Sequence, residues 1–310
     1  MNCPLCKNKE ISIIETFSIQ IIKQHYLNAA LDVNYLFNDI DSLDYLECNE
    51  CRLKFFNPIV LGDSRYYSHL QKEDWYFLHE DKTEFEFSKQ YIKSTDNVLD
   101  VGSGRGVFLK HINCAFYQGL ESSNKALELA NSDGVNVISE SVQEHCKNKK
   151  DFYDVVVIFQ VLEHVANIDD FIRSSIAALK KNGKLIVAVP NNDSFIKDYS
   201  NNFLNLPPHH QLHWNEYSLS KLASLYNLEK IEVFKERVTS IHREYFYYTL
   251  EQRLFRKISG RVFHIVEDFG KCKTSHLKGY LIKAYVGFLK LFRYHESQDG
   301  QTIISVYKKL

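Results

Sequence analysis

Residues 98–109 read VLDVGSGRGVFL. An apolar run ends at Asp100 and Val101, three glycines alternate with single residues, and a helical pattern follows. In a doubly wound sheet such a turn lies at the carboxyl ends of the strands, where ligands bind. The spacing Gly102-Ser-Gly104-Arg-Gly106 is G-x-G-x-G, one residue short of the dinucleotide fingerprint. The stretch lacks the G-K-[ST] ending of triphosphate loops. Asp100 stands just before the glycines, where an anion repels a pyrophosphate and attracts an ammonium.

Outward from this turn, strands and helices alternate. Strand-like runs cover 97–101, 116–121, 135–139, 153–159, 184–190, 228–234 and 302–307. Helical patterns lie between them: VFLKHI, SNKALELAN, DDFIRSSIAALKK and SLSKLASLY, with Gly183 read as the stop of the third. Residues 57–95 read as mostly helical and carry Tyr66, Tyr67, Trp75, Tyr76 and Phe77. The alternation predicts an α/β fold with a doubly wound, mostly parallel seven-stranded sheet. Several strands are apolar on both faces, as a sheet covered on both sides requires.

Glu121 ends the second strand of the series, where a carboxylate can accept both hydroxyls of a ribose. A ligand with a ribose, an ammonium and no phosphate is S-adenosylmethionine. Here the sequence resembles the class I S-adenosylmethionine-dependent methyltransferases, over about residues 90–235 plus 302–307. VLDVGSGRGVFL resembles their first motif and YQGLESSNKALELA the segment with the ribose carboxylate. DFYDVVVIFQVLEHV resembles their fourth strand with its E-H signature, and LKKNGKLIVAVPN the unit that follows. The resemblance implies a Rossmann-like fold and places Asp100, Gly102 and Gly104 at the methionine end and Glu121 at the ribose. It places adenine at Ser141 and Val142, where Ser141 stands in for an expected Asp, and Phe159 and Gln160 beneath the cofactor. Glu163 and His164 are read as fixing the fourth loop. A nicotinamide-dependent oxidoreductase is disfavoured by the glycine spacing and by Asp100; a non-catalytic domain that binds the same cofactor as a scaffold stays open.

The composition is that of an ordinary soluble chain: 310 residues, 45% hydrophobic and 25% charged. The net charge of −1 supplies no global field toward nucleic acid or anionic lipid. MNCPLCKNKE does not read as a signal peptide, and runs such as DVVVIFQVL (154–162) are too short to span a bilayer. The expected location is the cytoplasm, where cysteines stay reduced and clustered ones point to metal. Cys3 and Cys6 form one C-x-x-C pair, Cys48 and Cys51 another, each followed by a short strand-like run. Two such turns complete the S4 shell of a structural zinc, and this predicts a zinc ribbon with residues 16–46 inserted between its knuckles. Four unrelated buried cysteines is the bland reading. Cys114, Cys146 and Cys272 read as packing residues.

The domain organisation expected is a zinc ribbon at 1–60, a cofactor-binding domain at 61–236 and 300–310, and a helical insertion or lid at 237–299. A ribbon before such a domain resembles two branches: sugar- and polysaccharide-pathway methyltransferases, through YLECNECRLKFFNP (45–58), and ribosomal RNA methyltransferases with a zinc module. Residues 1–60 hold five cations against eight anions, a net −3, which is a poor RNA grip. The favoured acceptor is therefore a small molecule or sugar-linked precursor, with RNA as the second reading. In LPPHHQLHW (206–214), His209 and His210 are base or substrate-contact candidates on an extended turn, pointing apart, with His213 ranked lower. Their bland reading is hydrogen bonding that shapes the pocket. Residues 278–294 put Leu281, Tyr285, Phe288 and Phe292 on one helical face and Lys283, Lys290 and Arg293 on another. That face reads either as a peripheral membrane contact or as a packed lid or subunit contact.

Overall fold

A computed structural model describes residues 1–72, 81–267 and 276–310. Trp75, Tyr76, Phe77 and Cys272 fall outside the described residues. The chain opens with β1 (Ile11–Ser18), α1 (Ile19–Asn28), β2 (Ser42–Cys48), β3 (Lys54–Asn57), α2 (Ser64–Leu70) and α3 (Thr83–Ser88). Then come β4 (Asn97–Val101), β5 (Phe116–Leu120), α4 (Asn124–Ser132), β6 (Val137–Ile138), α5 (Val142–Asn148), β7 (Tyr153–Phe159), α6 (Ile168–Ala178) and β8 (Leu179–Pro190). The remainder is β9 (Leu212–His213), α7 (Glu216–Leu225), β10 (Leu228–Arg237), α8 (Arg243–Ser259), α9 (His276–Leu291) and β11 (Asp299–Lys309).

Among the described residues, seven strands form one sheet in the order β10-β11-β8-β7-β4-β5-β6. β8, β7, β4, β5 and β6 run parallel, and β11 is antiparallel to both its neighbours. The fold is the expected α/β class. The alternation of β7 explains its two-sided burial. Val156 and Ile158 enter one layer with Ile168 and Ile172 of α6, while Val155 and Val157 enter the opposite layer with Phe85 and Phe108. β-branched residues suit such a doubly covered strand.

Local expectations differ in four places. VFLKHI forms only a 3-10 turn over Val107–His111, because Gly106 precedes it and supplies no capping side chain. The stretch 135–139 pairs only at Val137 and Ile138, on the sheet edge. Of 57–95, the described helices are α2, α3 and the 3-10 turn Lys89–Tyr91. Gly183 is not a helix stop: α6 ends at Ala178, Leu179 already pairs with Tyr153, and the next pair is Val155 with Lys184. Residues 180–183 therefore bulge, with Asn182 at φ 64°.

β1, β2 and β3 form a second sheet whose fourth strand is β9, with Lys54 opposite His213 and Phe55 opposite Leu212. The cysteine-bearing segment is thereby joined to the chain beyond β8. Cys3, Leu5, Leu46 and Leu53 share a core with Leu212, Trp214 and Leu219. The insertion before β11 is helical: Ile282 and Val286 of α9 pack on Phe246, Tyr247 and Leu250 of α8. No described helix is long and apolar enough to cross a membrane.

Candidate active site

The glycine turn leaves β4 at the carboxyl edge of the parallel strands. Gly102 and Ser103 N–H groups both donate to Leu120 O, at 2.8 and 3.0 Å, so the turn folds across the end of β5. Gly104 has φ 55°, and a Cβ there would meet nothing within 4 Å, so its backbone faces open space. Gly102 has φ 75°, and a Cβ on it would come within 2.4 Å of Val161 Cγ2. Glycine is thus required twice, once for the conformation and once for the close approach of the β7 loop.

Glu121 is fixed by backbone. Gly104 N–H donates to Oε2 at 2.9 Å, and the N–H groups of Ser122 and Ser123 donate to Oε1 at 2.8 Å each. The carboxylate is oriented with lone pairs to spare for hydroxyl donors. Asp100 is 3% exposed and accepts from Tyr117 Oη at 2.8 Å. Burial pushes its carboxyl up to about 7, with Glu121 adding repulsion. A cationic group beside it would restore the charged form.

The adenine candidates are placed less directly. Ser141 is the N-cap of α5: Glu144 N–H donates to its hydroxyl oxygen at 3.2 Å, and the hydroxyl donates to Glu144 Oε2 at 3.0 Å. The Val142 side chain is buried in the core. Phe159 packs against Phe85 and Phe108, and Gln160, at φ 56°, donates from its side chain to Glu84 Oε1 at 3.3 Å.

The loop after β7 brings Glu163 and His164 to the turn that carries His209 and His210. His209 and His210 N–H groups both donate to Leu206 O, so the backbone is a tight turn, not the extended one expected. The rings stack at 4.7 Å between centroids instead of pointing apart. The His164 ring sits 4.9 Å from each of them. His164 Nδ1 lies 2.6 Å from His209 O; only an N–H can meet a carbonyl, so Nε2 carries the lone pair. His210 Nδ1 likewise meets Asn205 Oδ1 at 3.1 Å, while the Asn205 amide nitrogen donates to Asn192 Oδ1. Both free Nε2 atoms lie 3.9 Å from Glu163 Oε1. Glu163 is 1% exposed, and neither of its carboxyl oxygens has a hydrogen-bond partner. Burial raises its carboxyl to about 8 and lowers His164 to about 4, and burial holds His209 and His210 well below the usual imidazole value. Burial therefore favours the protonated acid and the neutral imidazoles in this cluster. His213 stands apart: Tyr45 Oη meets its Nδ1 at 2.8 Å and its Nε2 donates to Asn205 O at 2.9 Å.

The four N-terminal cysteines converge. Cys3 and Cys51 sulfurs are 3.5 Å apart, as are those of Cys6 and Cys48, and all four lie within 4.8 Å of one another. A tetrahedral zinc with bonds of about 2.3 Å separates its sulfurs by about 3.8 Å, so the set fits such an ion. The two turns repeat one geometry. Lys7 and Arg52 follow the second cysteine at φ 61° and 59°, and each donates its N–H to the carbonyl of the first cysteine, Cys3 or Cys48.

Residues 70–233, just over half of the chain, match the family described as a methyltransferase domain, and the chain belongs to that family. Among curated relatives, the ubiquinone biosynthesis O-methyltransferase of Rickettsia prowazekii is 32% identical over 120 residues, 34% of this chain and 47% of that protein. The protein of the same name from Vibrio vulnificus is 30% identical over 110 residues, 33% of this chain and 46% of that one. The chain therefore spans about half the length of these relatives. A solved S-adenosylmethionine-dependent methyltransferase from Archaeoglobus fulgidus has a TM-score of 0.47 at 19% identity, covering 76% of this chain and 100% of its own. One from Mesorhizobium loti has a TM-score of 0.46 at 11% identity, covering 74% and 100%.

Glu163 and His164, read from the sequence as fixing the fourth loop, join the histidine pair in the candidate site. The signal was present as two histidine-bearing stretches, E-H at 163–164 and H-H at 209–210, but their meeting needs the fold.

Proposed function

We propose that this chain transfers a methyl group from S-adenosylmethionine to a hydroxyl of a small-molecule or sugar-linked acceptor, by in-line displacement. The observation that carries the reading is the placement of two acidic groups, buried Asp100 and backbone-held Glu121, around an open glycine turn that abuts the Glu163–His164 loop. S-adenosylmethionine supplies a methyl group made electrophilic by its sulfonium. Asp100 holds the ammonium, Glu121 accepts the ribose hydroxyls, and the backbone near Val142 meets the adenine, since the Ser141 hydroxyl is committed to its cap. Phe159 forms part of the apolar floor. His210 Nε2 is the atom to take the acceptor proton, with His209 stacked against the ring and His164 meeting it edge-on. A neutral imidazole accepts without first losing a proton. The O-methyltransferase names of the relatives agree with a hydroxyl acceptor, and the acidic N-terminal segment argues against RNA. The four cysteines hold one structural zinc, closed to substrate. Titration with S-adenosylhomocysteine and with NAD, followed by transfer of labelled methyl to phenolic and sugar acceptors, tests the reading. Binding of NAD and not of S-adenosylhomocysteine rejects it; cofactor binding with no transfer to any acceptor leaves a scaffold instead.

A further inference from the structure

α9 has two apolar faces, and the fold uses one. Ile282, Val286 and Leu289 turn inward onto α8. Leu281, Tyr285, Phe288, Leu291 and Phe292 turn outward and are 53–81% exposed. The outward set repeats every three or four residues, so it forms one continuous stripe on the helix. Isolated apolar side chains on a surface are ordinary, but a contiguous stripe of this kind marks an interaction site. The charge on the same helix narrows the partner. Residues 276–293 contain Lys278, Lys283, Lys290 and Arg293 and no carboxylate, on a chain whose net charge is −1. Lys283 and Lys290 share the polar face opposite the stripe, and Lys290 pairs with Glu244 of α8 at 2.7 Å. A second copy of the chain would bring this same cationic helix against itself. An anionic bilayer surface accepts both features, the apolar stripe among the acyl chains and the cations at the phosphates.

We infer that the outward face of α9 docks the protein on anionic phospholipid membranes. The docking face is tied through α8 to the segment after β8: Phe195 packs on Phe246 of α8, and Arg256 of α8 donates to Asp198 O at 2.6 Å. The inference does not depend on the methyl-transfer reading, because its assay measures binding alone.

The test is co-sedimentation of the full chain with phosphatidylcholine vesicles, with and without one quarter phosphatidylglycerol. Wild type should bind the anionic vesicles, and raising salt from 0.1 to 0.5 M should weaken that binding. Phe288→Glu with Phe292→Glu should lower the partition at least about tenfold. Lys283→Glu should lower it about fivefold or more, the effect of about one cation at the surface. Ile13→Glu, an exposed apolar site on β1, should change nothing. Phe292→Ser alone serves if circular dichroism shows the double variant to be unfolded. Failure of wild type to bind, or equal binding by the α9 variants, overturns the inference. So does a wild-type dimer in sedimentation that the α9 variants convert to monomer.

Discussion

Asp100→Asn separates what the buried acid costs the fold from what it does for the ligand. In the unfolded chain this carboxyl titrates near 3.8, and in the ligand-free fold near 7. Between those values the unfolded chain has lost a proton that the fold keeps, so stability falls as pH rises and is level above about 7. At about 1.4 kcal/mol per tenfold, the cost at pH 8 is roughly 4 kcal/mol. An asparagine copies the neutral acid and still accepts from Tyr117. Asp100→Asn should therefore unfold at higher temperature than wild type at pH 8, with the difference shrinking toward pH 4. Binding should move the other way. A ligand ammonium requires the ionised carboxylate, and with a pKa near 7 the ionised fraction rises about eightfold between pH 6 and 7.5. Wild-type affinity for S-adenosylhomocysteine should rise by that factor, and protons should be released on binding. Asp100→Asn should lose the pH dependence and bind about 10- to 150-fold more weakly at pH 7.5, the worth of a charge-assisted hydrogen bond. Calorimetry in two buffers of different ionisation enthalpy reads both quantities. A flat wild-type affinity over this range, or a variant less stable than wild type at pH 8, would refute the reasoning.

Glu121→Ala removes the partner of three backbone N–H groups and the expected ribose contact; calorimetry should show S-adenosylhomocysteine affinity lowered about 10- to 150-fold. Elemental analysis should find one zinc per chain, and Cys48→Ser should lower both the zinc content and the melting temperature; a metal-free wild type counts against the site. His210→Ala should cut turnover by at least about 10²-fold with cofactor affinity intact, and His209→Ala should cut it less. Equal, small losses for both would make the pair structural. Glu163→Gln, which keeps the shape of the neutral acid, should leave the protein stable at pH 6 and steepen no acid limb, whereas Glu163→Ala should destabilise it by opening a cavity.

The parallel sheet was legible because its strands are unusually apolar. VVVIF in β7 and LIVAV in β8 face two cores, and no other reading of such runs survives the helices between them. The glycine turn, Asp100 and Glu121 were legible because they lie within 24 residues and at strand ends, so chain order already implies proximity. The cysteine quartet was legible because ligand spacing is local within each pair. The histidine cluster was not, since His164 and His210 come from stretches far apart in the chain and are joined by long-range bonds, His164 Nδ1 to His209 O and Gln211 N–H to Glu163 O. The stacking of His209 on His210 comes from the local turn on Leu206 O. β9 was missed because two residues carry no periodicity. Ser141 is different: Ser141-Val-Gln-Glu144 has the S-x-x-E spacing of a capped helix start, and that local signal favoured a cap over a ligand contact.

Gln211, fully buried, sits where three segments meet. Its N–H donates to Glu163 O at 2.9 Å, its carbonyl accepts from Phe56 N–H at 3.1 Å, and its side-chain oxygen accepts from Val60 N–H at 3.1 Å. Its side-chain nitrogen donates back to Val60 O. The residue next to the stacked histidines is thus pinned on one side to the β7 loop and on the other to the cysteine-bearing sheet. The His209–His210 turn inherits its register from β3, a strand that starts just past Cys51. Stripping the zinc proposed for the four cysteines would then act at a distance, as slack in the hinge-pin of the candidate site, and is expected to show as misaligned histidines before it shows as unfolding. For the same reason residues 1–60 are not a removable appendage: a chain begun at residue 61 would keep the glycine turn and lose the splint that squares the histidines to it.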